Sequence, residues 1–300
     1  MKLHRAVAWS LLSTAAWLAA WLVACGSSKS SGEARADAAP VADGQSDALE
    51  ATTGIGVITF SEAPDGGGTF FAGFSDMAPA SPAGCELVDA GGCTTSRCPP
   101  PPAGDGGTET DGATQADAQP VVAPNPGRLK VSGGVFGAGF YIDPDKGGTY
   151  LYASPGTIFS PGDPLGVSAL GGALSAFPEQ TIEAPPVIAL TAPGGDGGKI
   201  TISTAQPLTF SWTGGKAGDE TVVTATAYFT SGGLASMTCS WDASTGTATA
   251  PSDALRPLAS QNALSSNIVW YQLAQKKFNT GPVAVSVSAY APQGTLVAFQ

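Results

Sequence analysis

Leu208, Phe210 and Trp212 alternate with Thr209 and Ser211, and Val283, Val285, Val287 and Ala289 alternate with Ala284, Ser286, Ser288 and Tyr290. Successive side chains of an extended strand point to opposite faces, so this period of two buries one face and leaves the other wet. The same period runs through Ile200 and Ile202 and through the Thr/Val/Ala run from Thr221 to Tyr228. One polar face per strand is the pattern of antiparallel sheets packed on one side. About seven such strands in the last third of the chain predict a β-sandwich of immunoglobulin or fibronectin type. The 40 glycines and 24 prolines, with charged residues at only 12%, leave turns plentiful and surface helix scarce. One short helical turn is expected at Ser252 to Leu258, with Ser252 as its cap.

Upstream, Gly54 to Phe60 and Thr69 to Phe74 read as strands around a Pro64-Asp65-Gly66-Gly67-Gly68 turn. Further strands are expected at Arg128 to Val131, Phe140 to Ile142, Thr149 to Ala153 and Leu165 to Leu170, and Pro185-Pro186 reads as a hinge. Residues 99–127 open on four prolines and hold Asp105, Glu109, Asp111 and Asp117 without a single base, the composition of a disordered insertion. The chain is therefore expected to be all-β. A β domain over residues 54–183, interrupted at about 99–127, precedes a sandwich over residues 184–300.

The first 25 residues differ in kind. Lys2, His4 and Arg5 precede an apolar stretch from Ala6 to Ala24 broken only by Ser10, Ser13 and Thr14, the layout of a secretory signal. The stretch ends in Leu22-Val23-Ala24-Cys25, followed by Gly26-Ser27-Ser28. This tetrapeptide resembles the lipobox of bacterial lipoproteins. The resemblance implies removal of residues 1–24, a diacylglycerol on the Cys25 sulfur and an acylated new amino terminus, so that lipid is the membrane contact and no other cofactor is expected. At about 0.8 kcal/mol per buried methylene, several acyl chains anchor durably. Gly26, where an Asp commonly retains Gram-negative lipoproteins at the inner membrane, favours the outer membrane within that resemblance. Residues 25–53, rich in Ser, Ala, Gly and Asp and free of aromatics, read as a disordered tether with a root-mean-square reach of roughly 30 Å. Downstream, Pro185 to Pro193 and Pro207 to Gly215 resemble the first strands of bacterial extracellular Ig-like domains. The whole chain resembles β-rich surface lipoproteins of Gram-negative bacteria, a likeness that implies location and architecture and no activity.

Lys and Arg number 13 against 24 Asp and Glu, a formal charge of −11. Loss of Lys2 and Arg5 with the signal takes it to −13. Such a surface repels phosphate backbones, which excludes nucleic acid as a partner. The one histidine, His4, lies in the signal. Without it the mature chain has no Ser-His-Asp or Cys-His nucleophile, no histidine-ligated zinc and no imidazole acid–base chemistry.

Apart from Cys25, the cysteines are Cys85, Cys93, Cys98 and Cys239. In an exported chain these are disulfide candidates, with a local bridge expected within the first three and the pairing of Cys239 open between a second bridge and a buried thiol. Pro193 to Ile200 is glycine-rich, but Pro193 and Ile200 break the phosphate-loop pattern, and a hairpin loop is expected. Asp143 and Asp145 alternate as calcium ligands do, although Pro144, Lys146 and Ser154 at the twelfth position fit poorly, and a plain Asp-Pro turn is the competing reading. Asp219-Glu220 is the carboxylate pair a hydrolase would need, yet neighbours on an extended chain point apart. Tyr150, Tyr152, Trp270 and Tyr271 are candidates for stacking on sugars, against the alternative that they pack inside; Trp212 and Trp241 read as core. The leading expectation is a non-enzymatic, lipid-anchored envelope protein with a structural or adhesive role toward an envelope protein or polysaccharide. Glycan binding and carboxylate-based hydrolysis are the alternatives.

Overall fold

The computed structural model describes residues 54–75, 84–100, 125–194, 200–259 and 263–300. The expected signal, Cys25, the tether and most of the expected insertion lie outside these residues. The described chain is nearly all β. Its strands are β1 (Gly54–Glu62), β2 (Gly68–Ser75), β3 (Glu86–Ala90), β4 (Cys93–Cys98), β5 (Leu129–Ser132), β6 (Phe140–Ile142), β7 (Tyr150–Ser154), β8 (Pro164–Ala169) and β9 (Phe177–Glu183). They continue with β10 (Ala189–Ala192), β11 (Ile200–Ile202), β12 (Leu208–Thr213), β13 (Glu220–Phe229), β14 (Leu234–Asp242), β15 (Thr247–Ala250), β16 (Ala263–Thr280), β17 (Val283–Tyr290) and β18 (Gln293–Phe299). The helix α1 spans Ser252–Leu255; Pro251 holds the cap position without a side-chain bond, so Ser252 is the first helical residue and not the cap.

The axis of the molecule is one long hairpin. β16 runs for 18 residues. Its first half pairs with β13 on one edge and with β18 on the other, and its second half pairs with β17. β11 lies parallel to β18, and β1 lies parallel to β17. Each half of the hairpin thus belongs to a different core.

Around the first half, β14, β13, β16 and β18 face a second sheet of β10, β12 and β15. In immunoglobulin lettering these are the C′, C, F and G strands over the A, B and E strands. Phe210, Val223, Ala225, Met237, Ile268 and Val297 fill the space between. Around the second half, β17, β1, β2 and β7 face the sheet β6-β5-β8-β9. The register aligns Val287, Ile58, Ala72 and Tyr150 in one inward row and Ala289, Phe60, Phe70 and Tyr152 in the next. Gly56 belongs to the row beside, where the Phe74 ring lies so close that a Cβ would meet it at 2.7 Å. Each fully buried Val or Phe contributes about 1.5–3 kcal/mol to this core.

The expected boundary at 183/184 is crossed twice. β17 and the end of β16 complete the sheet begun by β1, and the β3–β4 hairpin adds to the edge of β14. The cysteines follow this exchange. Cys85 bonds Cys98 across the mouth of the β3–β4 hairpin, and Cys93 bonds Cys239, its direct cross-strand partner on β14. The hairpin expected at Pro193 to Ile200 is not one. β10 pairs with β12 and β11 with β18, so this segment crosses between sheets; residues 195–199 lie outside the described residues.

Candidate functional site

β7 is the last strand of its sheet and pairs only with β2 among the described residues. The turn that delivers it is built by Asp145, whose carboxylate accepts from the N–H groups of Gly147 at 2.8 Å and Thr149 at 2.9 Å. Beside it, the Gly133–Gly139 loop packs backbone to backbone against residues 158–165. A Cβ on Gly133 would lie 1.7 Å from the Pro164 oxygen, and one on Gly134 would lie 2.0 Å from that of Ile158. Both glycines also have positive φ, so no other residue fits here. This tight loop directs Phe136 inward and brings Phe140 to the open side of the sandwich.

Three rings converge there. Phe136 and Tyr152 are 5.1 Å apart, Phe140 and Tyr152 5.7 Å, and Phe136 and Phe140 6.3 Å between centroids. Phe136 is buried and Tyr152 half-buried, while Phe140 keeps 47% of its surface in solvent. On the opposite face of β7, Leu151 is 64% exposed beside half-buried Phe71. No formal charge occurs from Gly147 to Gly162. The result is an uncharged apolar strand edge on an acidic protein.

The residues singled out in the sequence are distributed differently from what each proposed site requires. Asp143 makes a two-point ion pair with Arg128, at 2.7 and 3.1 Å, and the guanidinium holds its carboxyl below the usual range. Asp145 is committed to its turn. The alternation that suggested calcium therefore serves an ion pair and a turn, and among the described residues no cluster of three or more His, Cys, Asp or Glu is placed to hold a metal. Tyr150 is fully buried, with its hydroxyl donating to the Gly127 carbonyl, and burial pushes its pKa up. Tyr271 is buried with its ring 4.6 Å from that of Tyr290, and burial raises it too. Neither ring is free to stack on a sugar. Trp270 is half-buried against the C-terminal core, and its Nε1 has no partner among the described residues. Only Tyr152 of the four reaches the open edge. Trp212 is core, donating its Nε1 to the Ala243 carbonyl at 2.8 Å, and Trp241 packs against it as a partly buried ring.

Asp219 and Glu220 have separate partners. Asp219 accepts from the Gln272 amide at 2.5 Å, and Glu220 accepts from the Ser240 hydroxyl. Glu62 is the one buried carboxylate among the described residues. Its Oε1 accepts from the N–H groups of Ile158 and Phe159, its Oε2 has no partner, and burial raises its pKa. It fixes the loop that follows β7. The roles of Leu151, Phe136 and Phe140 were missed from sequence. For Leu151 the signal was the charge-free run bracketed by Asp145-Lys146 and Asp163; Phe136 and Phe140 lie upstream of that run.

No family model matches the chain, and no curated protein matches it. Among solved structures, a 1.5-MDa bacterial ice-binding adhesin retained at the host cell surface is 11% identical over 83% of this chain and 66% of its own, with a TM-score of 0.21. A Ca²⁺-stabilised adhesin with which an Antarctic bacterium binds ice is 13% identical over 84% of this chain and 50% of its own, also at 0.21. A segment of titin is 8% identical over 81% and 95%, at 0.19. The chain thus spans less than two thirds of the length of either adhesin chain. At these TM-scores the likenesses carry no argument about what the chain does.

Proposed function

We propose that this protein is a lipid-anchored envelope or cell-surface protein with a structural or adhesive role and no catalytic one. The observation that carries the reading is where the chain enters the fold. Gly54 lies at the tip of the shared hairpin, its N–H directed at the Pro282 carbonyl, at the end away from the C-terminal core. A lipid on Cys25 and a tether over residues 25–53 would then hold the Ig-like sandwich outermost. Two disulfides support export, since such bonds persist in oxidising compartments. The separate engagement of Asp219 and Glu220 counts against that pair as the acids of the hydrolase alternative. Burial of Tyr150 and Tyr271 takes from the glycan alternative two of its four rings.

The test is Cys25→Ser in cells fed a fatty-acid probe. The variant is expected to lose the label and leave the membrane fraction. Label and fractionation identical to wild type would overturn the anchor. Binding of intact cells to one another and to envelope polysaccharide, compared with and without the gene, tests the adhesive part.

A further inference from the structure

We infer that β7 is an interface strand through which two copies of this chain pair edge to edge, antiparallel, about a two-fold axis. An open sheet edge is a template for another strand, and folded proteins blunt such edges with charge, proline, bulges or brevity. Among the described residues the other sheet edges are blunted. β3 carries Glu86 and Asp89, and β9 carries Pro178, Glu179 and Glu183. β6 and β11 are three residues long, β10 is interrupted by a register shift, and the short β15 runs into Pro251. β7, Tyr150-Leu151-Tyr152-Ala153-Ser154, is as short as β3 and runs into Pro155, but it carries no charge and no register shift.

Charge selects the partner. A chain with a formal charge of −11 repels its own copies across most faces. Two-fold pairing of β3 or of β9 would bring carboxylates of one copy near those of the other, which is destabilising. Pairing of β7 with its own copy opposes only apolar and hydroxyl side chains, because no charge occurs from Gly147 to Gly162. It would also cover Leu151 and Phe140, large apolar side chains that are otherwise solvent-exposed. The inference is independent of the lipid anchor.

The test is sedimentation equilibrium of the full chain in non-ionic detergent, with hydrogen exchange read at high and low protein concentration. Wild type is expected to dimerise, with β7 amides protected only at high concentration. Leu151→Lys should raise the dimer dissociation constant at least about ten-fold while circular dichroism is unchanged. Leu87→Lys, on the charged β3 edge, should leave the dimer intact. A monomer at every concentration, or a dimer indifferent to Leu151→Lys, would overturn the inference. So would a monomer that retains a soluble polysaccharide in a manner lost in Phe140→Ala, which would reassign this edge to glycan.

Discussion

Two hairpins cross between the cores, and they are secured by opposite means. The projecting half of β16 with β17 sends Val283, Val285, Val287 and Ala289 into the N-terminal core and has no cysteine. The β3–β4 hairpin shows solvent at Glu86, Leu87 and Asp89 along β3, and it carries two disulfides. Apolar burial contributes about 25 cal/mol per Å², so a hairpin with a full inward row is held by its own packing. One with little to bury needs covalent closure. The contrast teaches that the cysteines mark the weaker of the two crossings.

The sharpest way to break this contrast is to remove its longest bridge. Cys93 and Cys239 are 146 residues apart, and closing such a loop stabilises by about 5 kcal/mol in the chain-entropy account. Replacing both with Ser should lower the denaturation midpoint by a comparable free energy and expose β3–β4 to protease before the rest. Next, Cys85 and Cys98, 13 residues apart, close a loop worth about 3 kcal/mol by the same account. Their double Ser variant should be milder in the same measurement, and a reversal of the two would refute loop length as the cause. Val287→Ala, in the packed hairpin, removes two buried methyl groups and is expected to cost about 2 kcal/mol. A cost above either disulfide would invert the comparison.

The smallest effect concerns Glu62. Burial raises its folded-state pKa above the ordinary 4.5, so the folded chain holds that proton more tightly than the unfolded one. Its contribution is therefore complete below the unfolded pKa and is lost as pH rises through the folded value. Glu62→Gln keeps an oxygen for the Ile158 and Phe159 N–H groups and cannot ionise. Denaturant melts at several pH values should show the Gln variant gaining on wild type as pH rises above about 4.5. A difference constant with pH would show that the carboxyl is not desolvated.

Strands were legible where alternation was clean. Residues 54–60, 69–74, 208–212 and 283–290 all fall within strands, because a half-buried strand writes its period directly into the order of residues. β3 and β4 were not anticipated: Glu86 to Cys98 has a polar, cysteine-bearing composition without an apolar row, and its strand character comes from pairing with β14. β9 was missed for a related reason, since Pro178 and Glu179 interrupt its pattern. Among the site candidates, Tyr150 and Tyr152 looked equivalent in sequence. The structure separates them through the neighbours they meet: Tyr150 sits wholly inside with its hydroxyl on Gly127, and Tyr152 lies at the rim beside Phe140.

The order of residues alone determined the β class, the even set of cysteines available for bridging, the acidic surface, the absence of histidine after His4 and the charge-free run from Gly147 to Gly162. These are properties of composition and local period, and no folding is needed to read them. Which strand pairs with which was decided only in three dimensions. β1 meets β17 at Thr59 and Ser288, a sequence separation of 229, and nothing local to either strand specifies the other. Side-chain period says which face is buried; only the closing of two cores around one long hairpin decides against what.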